Sequence, residues 1–470
     1  MIPRISQQSP RSAGSSRTWH IQLAKRRNTR TVHRTQTPTR RTSPRGTIRI
    51  PTSTTQNSQG AGLTKDPLSS AVERVLRNDN CSGCGGCALV SNRITVQLDS
   101  QGFLRPKINQ DRGAKTKSVS EARLFKKMCP GIRVTAPNSA DLKHHDIFGA
   151  YVSSWVSWAT DPVTRNAGSS AGVITALSNW LIETKRTASV IASKGDEVDP
   201  RRTVALKITT REDALRAAGS RYAPVANLPL LDVNFLKGST VVGKPCEATA
   251  IVQLSDALGI DPNDRPIVLS FFCAGTPSQQ ATNALAELLE APAPEIKSLD
   301  YRGNGWPGTF RIGLRNGQTR TMSYDESWGT HLGRTVQWRC KLCVDGTGGH
   351  ADIAVGDYWD VDSRGYPKFE NADGRSVVIA RTQRGAELLD LAESSGIINR
   401  SALDLDLVAA VQPLQTDRKM TLAARLIGRL MAGKRIPKYT GYSLTRRMIS
   451  AKERITRAAV GTFVRSRQDQ

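Results

Sequence analysis

No stretch of the 470 residues reaches the roughly 18 to 20 uninterrupted apolar positions that a membrane span needs, and no secretory apolar segment is present. The first 65 residues hold 13 Lys and Arg but no Asp or Glu, and they are rich in Ser, Thr and Pro. A segment so poor in apolar side chains cannot offset its chain entropy by burial, so it is expected to form a disordered basic tail or an over-extended start. Its composition also resembles an organelle transit peptide, but Pro3, Pro10, Pro38 and Pro44 interrupt any amphipathic helix there. Hydrophobic residues make up only 38% of the whole chain, and this tail accounts for much of the dilution.

The net charge of +26 is not spread evenly. Residues 417–470 carry 14 basic against 3 acidic side chains, which leaves 40 basic and 38 acidic residues in the middle, 66–416. A duplex-binding protein carries its positive surface on the folded domain. Here the charge sits on two appendages, which argues against nucleic acid as the partner. With no span and no secretory segment, the expected location is the cytoplasm, where clustered thiols bind metals or clusters rather than pair as disulfides.

No cysteine lies outside a motif. The eight fall in Cys81-Ser-Gly-Cys84-Gly-Gly-Cys87, Cys129-Pro130-Gly131, Lys244-Pro245-Cys246, Phe272-Cys273-Ala274-Gly275 and Cys340-Lys-Leu-Cys343. The first run has the ferredoxin spacing for three ligands of a 4Fe-4S cluster, with glycines that keep side chains clear of the sulfides. Where a ferredoxin would continue with a fourth cysteine, this chain has Ser91-Asn92. Cys129 is therefore the expected fourth thiolate. Cys246, Cys273, Cys340 and Cys343 remain, enough for a second cluster or for a four-thiolate zinc ion. Cys340 and Cys343 are paired by local spacing, whereas Cys246 and Cys273 each end an apparent buried strand and reach the same point only through the fold.

Four regions are expected: the tail 1–65, an N-terminal iron-sulfur unit 66–146, a catalytic domain 147–400 and a basic helical extension 401–470. Strand and helix patterns alternate through 147–400, which predicts an α/β fold with a mixed α+β sheet core. Alternating Val204, Leu206 and Ile208 read as a strand, Ser239–Gly243 and Pro266–Phe272 as buried strands, and Asn316-Gly317 as the turn of a hairpin. Gly168-Ser169-Ser170-Ala171-Gly172 precedes a run with Val173, Leu177, Trp180 and Leu181 on one face, so its backbone N–H groups could meet a phosphate, although an empty glycine-rich cap is the commoner case. From Arg418 to Arg435, helical spacing puts Arg418, Arg425 and Arg429 on one side and Ala423, Leu426, Ile427, Leu430 and Met431 on the other. That basic amphipathic helix suits an anionic membrane surface, a partner, or its own domain.

Taken in order, these cysteine motifs, Gly-Ser-Ser-x-Gly, Ser220-Arg221-Tyr222, Gly243-Lys244-Pro245-Cys246 and Ala351-Asp-Ile-Ala-Val-Gly-Asp-Tyr-Trp359 resemble the coenzyme F420 hydrogenase/dehydrogenase beta subunit family over roughly residues 78 to 400. The resemblance implies an iron-sulfur flavoprotein oxidoreductase, carrying FAD and one or two 4Fe-4S clusters. It would exchange electrons with the deazaflavin coenzyme F420, with ferredoxin or with another redox partner protein. Other branches reduce double bonds of chlorophyll precursors. It further implies that Gly168, Ser169, Ser170, Gly172 and Thr175, with Ser220, Arg221, Tyr222, Gly243 and Lys244, lie near the flavin. Ala171 stands where a second consecutive glycine is usual, and Arg221 where the family has Lys. The alternatives are a non-catalytic electron-transfer subunit, an accessory of polysaccharide biosynthesis, and a zinc-stabilised interaction protein. No separate acid or base stands out; Asp357 and Lys244 are candidates to touch substrate or flavin.

Overall fold

The strands with apolar runs assemble into an eight-stranded mixed sheet. In this computed structural model the described residues are 66–109, 115–232, 236–359, 373–450 and 454–468, all within one compact unit, Leu63–Gln470. The expected tail over 1–65 lies outside the described residues. Four neighbouring strands, Ser189–Gly195, Ser239–Gly243, Ile267–Phe271 and Ile353–Asp357, run parallel. Antiparallel strands Ser376–Ala380, Ser153–Ala159 and Ile398–Ala402 extend one edge, and Thr203–Ile208 closes the other.

The central strands are apolar on both faces because both are covered. Val241 and Val268 pack on one side with Ala248, Ile251 and Leu254 of helix Pro245–Leu258. Leu269, Ile353 and Val378 pack on the other with Leu177, Trp180 and Leu181 of helix Val173–Glu183 and Leu389 of helix Gln383–Ser394. The alternation of Val268 and Leu269 between the two clusters is the period-two geometry of a strand read directly.

The expected hairpin is present as Thr309–Leu314 and Thr319–Ser323, with Gly317 at φ +84°, and strand Ile296–Asp300 completes a second, three-stranded sheet. Preceding the large sheet, helices Pro67–Arg77 and Lys115–Met128 pack on helix Pro245–Leu258 through Leu68, Val72, Phe125 and Met128.

The long C-terminal helix, Pro413–Met431, turns its arginines inward rather than outward. Arg429 is 1% exposed, stacks 4.2 Å from the Trp338 ring and lies 2.6 Å from Asp79. Arg418 donates to the carbonyls of Cys273 and Ala274. Leu414, Ile427, Leu430 and Met431 are among its exposed residues. The expectation of a basic face offered to an anionic membrane surface is corrected accordingly: backbone carbonyls and an aromatic ring of the same unit take up Arg418 and Arg429. Among the described residues, no helix is long and apolar enough to cross a membrane.

Candidate functional site

Parallel strands end at one edge of a sheet, and the loops beyond their carboxyl ends are where open α/β sheets build sites. Ser270 pairs with Gly243 and Phe271 with Val355, so the residues that follow, Lys244 to Cys246, Phe272 to Cys273 and Asp357 to Trp359, emerge at the same edge. Three groups of chemistry-bearing side chains result.

The first is the set Cys81, Cys84, Cys87 and Cys129, which lines one apolar cavity together with Val72, Val75, Phe125 and Met128. Gly83 and Gly85, at φ +68° and +76°, let the chain double back between thiols. A Cβ at Gly83 would stand 2.9 Å from the Leu104 carbonyl oxygen, and one at Gly86 2.6 Å from Met128 Cε. Cys87 opens the short helix Cys87–Val90, and Cys129 directly follows helix Lys115–Met128. The missing ferredoxin position, Ser91, is buried, and its Oγ lies 3.3 Å from the Arg93 amide. Burial raises all four thiols, Cys84 to about 11. Neighbouring thiols add to the rise: Cys84 feels Cys81, Cys129 feels Cys84 and Cys81, and Cys87 feels Cys84, Cys81 and Cys129. Four convergent thiols in an apolar cavity are a donor set that needs cationic iron or another metal to ionise.

In the second set, Cys273 is pushed up to about 12 by burial and by Cys340 and Cys343. Loop 273–276 is zipped to 336–340: Gln337 N–H donates to the Thr276 carbonyl at 3.1 Å, and Thr276 N–H to Cys340 Sγ at 3.4 Å. Gly275, at φ +138°, is needed because a Cβ there would meet Val336 at 2.9 Å. Burial raises Cys246 well above the usual thiol range, with Lys244 opposing and both Cys84 and Cys273 adding. It therefore stands between the two sets. So does Arg339, a residue the sequence pattern did not single out. Its guanidinium donates to the Pro130 carbonyl at 3.0 Å, next to Cys129, and feels the thiols of Cys343, Cys246 and Cys340. Among the described residues no three His, Cys, Asp or Glu side chains converge tightly enough for a single metal ion. A four-iron cubane, taking one thiolate per iron, spans more room than one tetrahedral ion.

The third group gathers two of the expected flavin motifs around a residue outside both. Gly172 caps helix Val173–Glu183 at φ +69° without any side-chain cap, leaving Thr175 in its first turn. Ser220 N–H donates to the Arg302 carbonyl at 3.3 Å, the Ser169 hydroxyl does so at 3.4 Å, and Gly305 N–H donates to the Asn166 carbonyl at 2.9 Å. Gly168 packs on Gly172, and Ser170 hydroxyl donates to the Arg375 carbonyl at 2.8 Å. Arg302 is 3% exposed. Its Nε donates to the Pro307 carbonyl and its Nη1 to Asp357, each at 2.6 Å, while Nη2 has no partner among the described residues. Its guanidinium carbon lies 4.5 Å from the Tyr324 ring centre, 4.9 Å from Trp306 and 5.4 Å from Trp359. Tyr222 packs on Tyr301, Tyr324 and Trp328 at the rim of this panel. Burial works against the charge of Arg302, but Asp357, Tyr222 and Tyr324 together outweigh it and strengthen the guanidinium's hold on its proton. The signal that could have found Arg302 is its glycine-dense neighbourhood, Arg302-Gly-Asn-Gly-Trp-Pro-Gly308.

The other expected flavin residues are otherwise engaged. Arg221 donates to Thr203 and to the carbonyls of Leu299, Pro200 and Arg202, and stacks on Tyr301, so all three of its nitrogens have protein partners. Lys244 is buried, donates to the Val225 carbonyl at 2.8 Å and lies 3.0 Å from buried Glu247. It belongs with the second cysteine set, whose Cys246 and Cys273 favour its charge. Gly243 backs directly onto Glu247.

Comparison with known proteins bears on this arrangement. The family described as coenzyme F420 hydrogenase/dehydrogenase, beta subunit N-term, matches residues 154–232, and its counterpart for the C terminus of the same subunit matches 236–405. The coenzyme F420 hydrogenase subunit beta of Methanococcus voltae is 26% identical over 302 residues, covering 62% of this chain and 99% of that protein. An F420-dependent formate dehydrogenase subunit beta of Methanocaldococcus jannaschii is 28% identical over 244 residues, 51% of this chain and 59% of that one. F420-dependent formate dehydrogenase 1 subunit beta of Methanococcus maripaludis is 26% identical over 247 residues, 52% and 60% of the two chains, so the chain spans about three fifths of either formate dehydrogenase subunit. A chain of the F420-reducing [NiFe] hydrogenase complex from Methanosarcina barkeri superposes at TM-score 0.44 and 21% identity, over 59% of this chain and 91% of that one. The two family matches run almost unbroken from the strand at Ser153 to just past the strand ending at Ala402, taking in the whole large sheet, the second cysteine set and Arg302, and the chain belongs to the coenzyme F420 hydrogenase/dehydrogenase beta subunit family.

Proposed function

We propose that this protein is an iron-sulfur flavoprotein oxidoreductase that passes electrons between two 4Fe-4S clusters and FAD, with a deazaflavin of the F420 type or a ferredoxin-like protein as redox partner. The observation that carries the reading is the convergence of Cys81, Cys84, Cys87 and Cys129, from two separate segments, on one apolar cavity. Cys246, Cys273, Cys340 and Cys343 would hold the second cluster, and the contact of Cys246 with both sets would set the two clusters side by side. A flavin exchanges electrons in pairs as hydride or singly, whereas a cubane takes one at a time.

The chain's own residues would do the positioning. Gly172 and the first N–H groups of helix Val173–Glu183 would receive a phosphate, and the uncommitted Nη2 of Arg302 would donate to a polar edge of the bound ring system. Trp306, Tyr324 and Trp359 would exclude water around it. Asp357 holds the Arg302 guanidinium in place rather than acting on substrate. Lys244, paired with Glu247, would offset the negative charge that four thiolates bring to the second site. The relatives, F420 hydrogenase and F420-dependent formate dehydrogenase subunits, support a deazaflavin as partner.

Anaerobic purification followed by iron, sulfide and flavin analysis tests the reading. The expected preparation is brown, bleached by dithionite, with about eight iron and eight sulfide per chain and releasable FAD. A colourless protein with stoichiometric zinc would overturn it. Iron and sulfide without flavin would reduce it to an electron carrier.

A further inference from the structure

A second cavity lies where the C-terminal helices meet the loop that follows Cys343, and its chemistry is unlike that of the thiol and aromatic sites. The chain beyond residue 405, past the C-terminal family match, contributes Lys419 from helix Pro413–Met431, then Tyr442, and Arg447 from helix Leu444–Ser450. Facing them are Asp345 and Gly349 of the loop and His144 of strand Lys143–His145.

Three donors in this wall meet no acceptor among the described residues. Lys419 is 5% exposed and Arg447 9%, and neither the ammonium nor the guanidinium meets an acceptor among the described residues. The Tyr442 hydroxyl is buried and has no partner among the described residues. Acceptors nearby are already committed. Asp345 accepts from Thr347 N–H at 2.9 Å with one oxygen and from Gly349 N–H at 2.7 Å with the other. Arg381, behind the wall, gives Nη1 and Nη2 to the carbonyls of Phe148, Ala150 and Thr347, and His350 is bonded to Thr249 and to the Thr135 carbonyl. Lys419, Arg381 and Arg447 thus oppose one buried carboxylate, Asp345, with the exposed Asp146 acting on Arg447. A buried cation without an acceptor is strongly unfavourable, and burial weakens the hold of Lys419 on its proton.

The size of the cavity restricts what could satisfy these donors. It measures about 30 Å³. With roughly 10–15 Å³ allotted to one water on this measure, it holds two waters or one small tetrahedral ion. An ammonium, a guanidinium and a phenol converging from three positions suit several acceptor oxygens on one centre.

We propose that this cavity binds a tetrahedral oxyanion, phosphate or sulfate or the phosphate end of a monoester, held by Lys419, Arg447 and the Tyr442 hydroxyl. The bound anion latches the C-terminal helices to the loop beneath the second cysteine set. The site is independent of the flavin and cluster assignments, since none of its donors belongs to them.

Titration calorimetry on the full-length, metal-loaded protein tests it, with inorganic phosphate, sulfate and phenyl phosphate as probes and chloride at matched ionic strength as control. One saturable site is expected, with Tm rising as phosphate is added. Lys419→Met and Arg447→Gln should each weaken phosphate binding tenfold or more, whereas Lys297→Met, an exposed lysine elsewhere, should leave it unchanged. Comparable affinity for phenyl phosphate identifies the monoester as occupant, and binding of phosphate alone identifies the free anion; both support the site. Heats and Tm shifts no different from chloride overturn it. So does phosphate binding that survives in Lys419→Met or Arg447→Gln protein of native circular dichroism and full iron content, since adventitious binding elsewhere would then explain it. Two variants are used so that a folding failure in one leaves the other decisive.

Discussion

At Cys84 and Cys273, burial and neighbouring thiols push proton loss from an ordinary value of 9.0 up to about 11 and about 12. The sign of the consequence follows from linkage. A group whose folded pKa is raised favours folding below its unfolded value, and that contribution is lost as pH climbs from the unfolded toward the folded value. The metal-free protein should therefore lose stability between about pH 9 and 12, read as a falling urea midpoint. The loaded protein, whose thiolates are bound, should not show this fall, and metal uptake should release protons measurable in weakly buffered solution. Arg302 makes a second expectation at this scale. Its spare Nη2 is worth a charge-assisted hydrogen bond, about 1.5–3 kcal/mol, so Arg302→Met should weaken FAD binding by tenfold or more in equilibrium dialysis. Unchanged FAD affinity in a folded Arg302→Met protein would remove this residue from the flavin site. Cys81, Cys84 and Cys87 were legible as a set from spacing alone, because three thiols within seven residues need little help from the fold to come together. Arg302 was not, because its value comes from Asp357 and three aromatic rings that are distant in sequence.

Elements that end in function were the easiest to read and the hardest to connect. Ser239–Gly243, Ile267–Phe271, Thr203–Ile208 and the hairpin at Gly317 form as the residue pattern indicates, since apolar runs and Asn-Gly turns act locally. Which strands lie side by side is a different matter, and only the parallel pairing of Ser239–Gly243 with Ile267–Phe271 brings Cys246 and Cys273 to one edge. The turn into helix Val173–Glu183 is where local strain can be tested. Gly172 has φ +69°, and a Cβ there would stand 2.3 Å from the Thr164 carbonyl oxygen. Gly172→Ala should cost roughly 1–3 kcal/mol, read as a lowered urea midpoint, and should reduce FAD content while leaving iron content intact. Loss of iron in that variant would mean that the turn supports the clusters rather than the flavin.

Across the whole molecule the C-terminal helix is the piece that composition misrepresents. Of the fourteen basic residues in 417–470, Arg454, Arg457, Arg465 and Arg467 of the following helix Arg454–Gln468 are exposed, yet in helix Pro413–Met431 and just after it Arg429 is buried against Trp338 and Asp79, Lys434 reaches the same Asp79 at 3.3 Å, and the backbone N–H of Arg435 donates to Asn78 at 2.7 Å. Asp79 and Asn78 lie just ahead of Cys81, so the helix braces the entry to the first cysteine loop. Arg429→Ala should destabilise the protein by about 2 kcal/mol, through lost cation–π stacking and packing, and should lower iron content, with Tm and iron per chain as the readouts. Stability lost at full iron content would show a brace for the fold alone. By itself the sequence determined the cysteine spacing, the mixed α/β pattern and the neutrality of the middle of the chain, because these depend on neighbours a few residues apart. Tertiary structure alone decided that Cys246 and Arg339 stand between the two sets, and that Arg418 and Arg429 of helix Pro413–Met431 face inward. Each of these joins residues far apart in the chain, and burial, not composition, selects which of them meet.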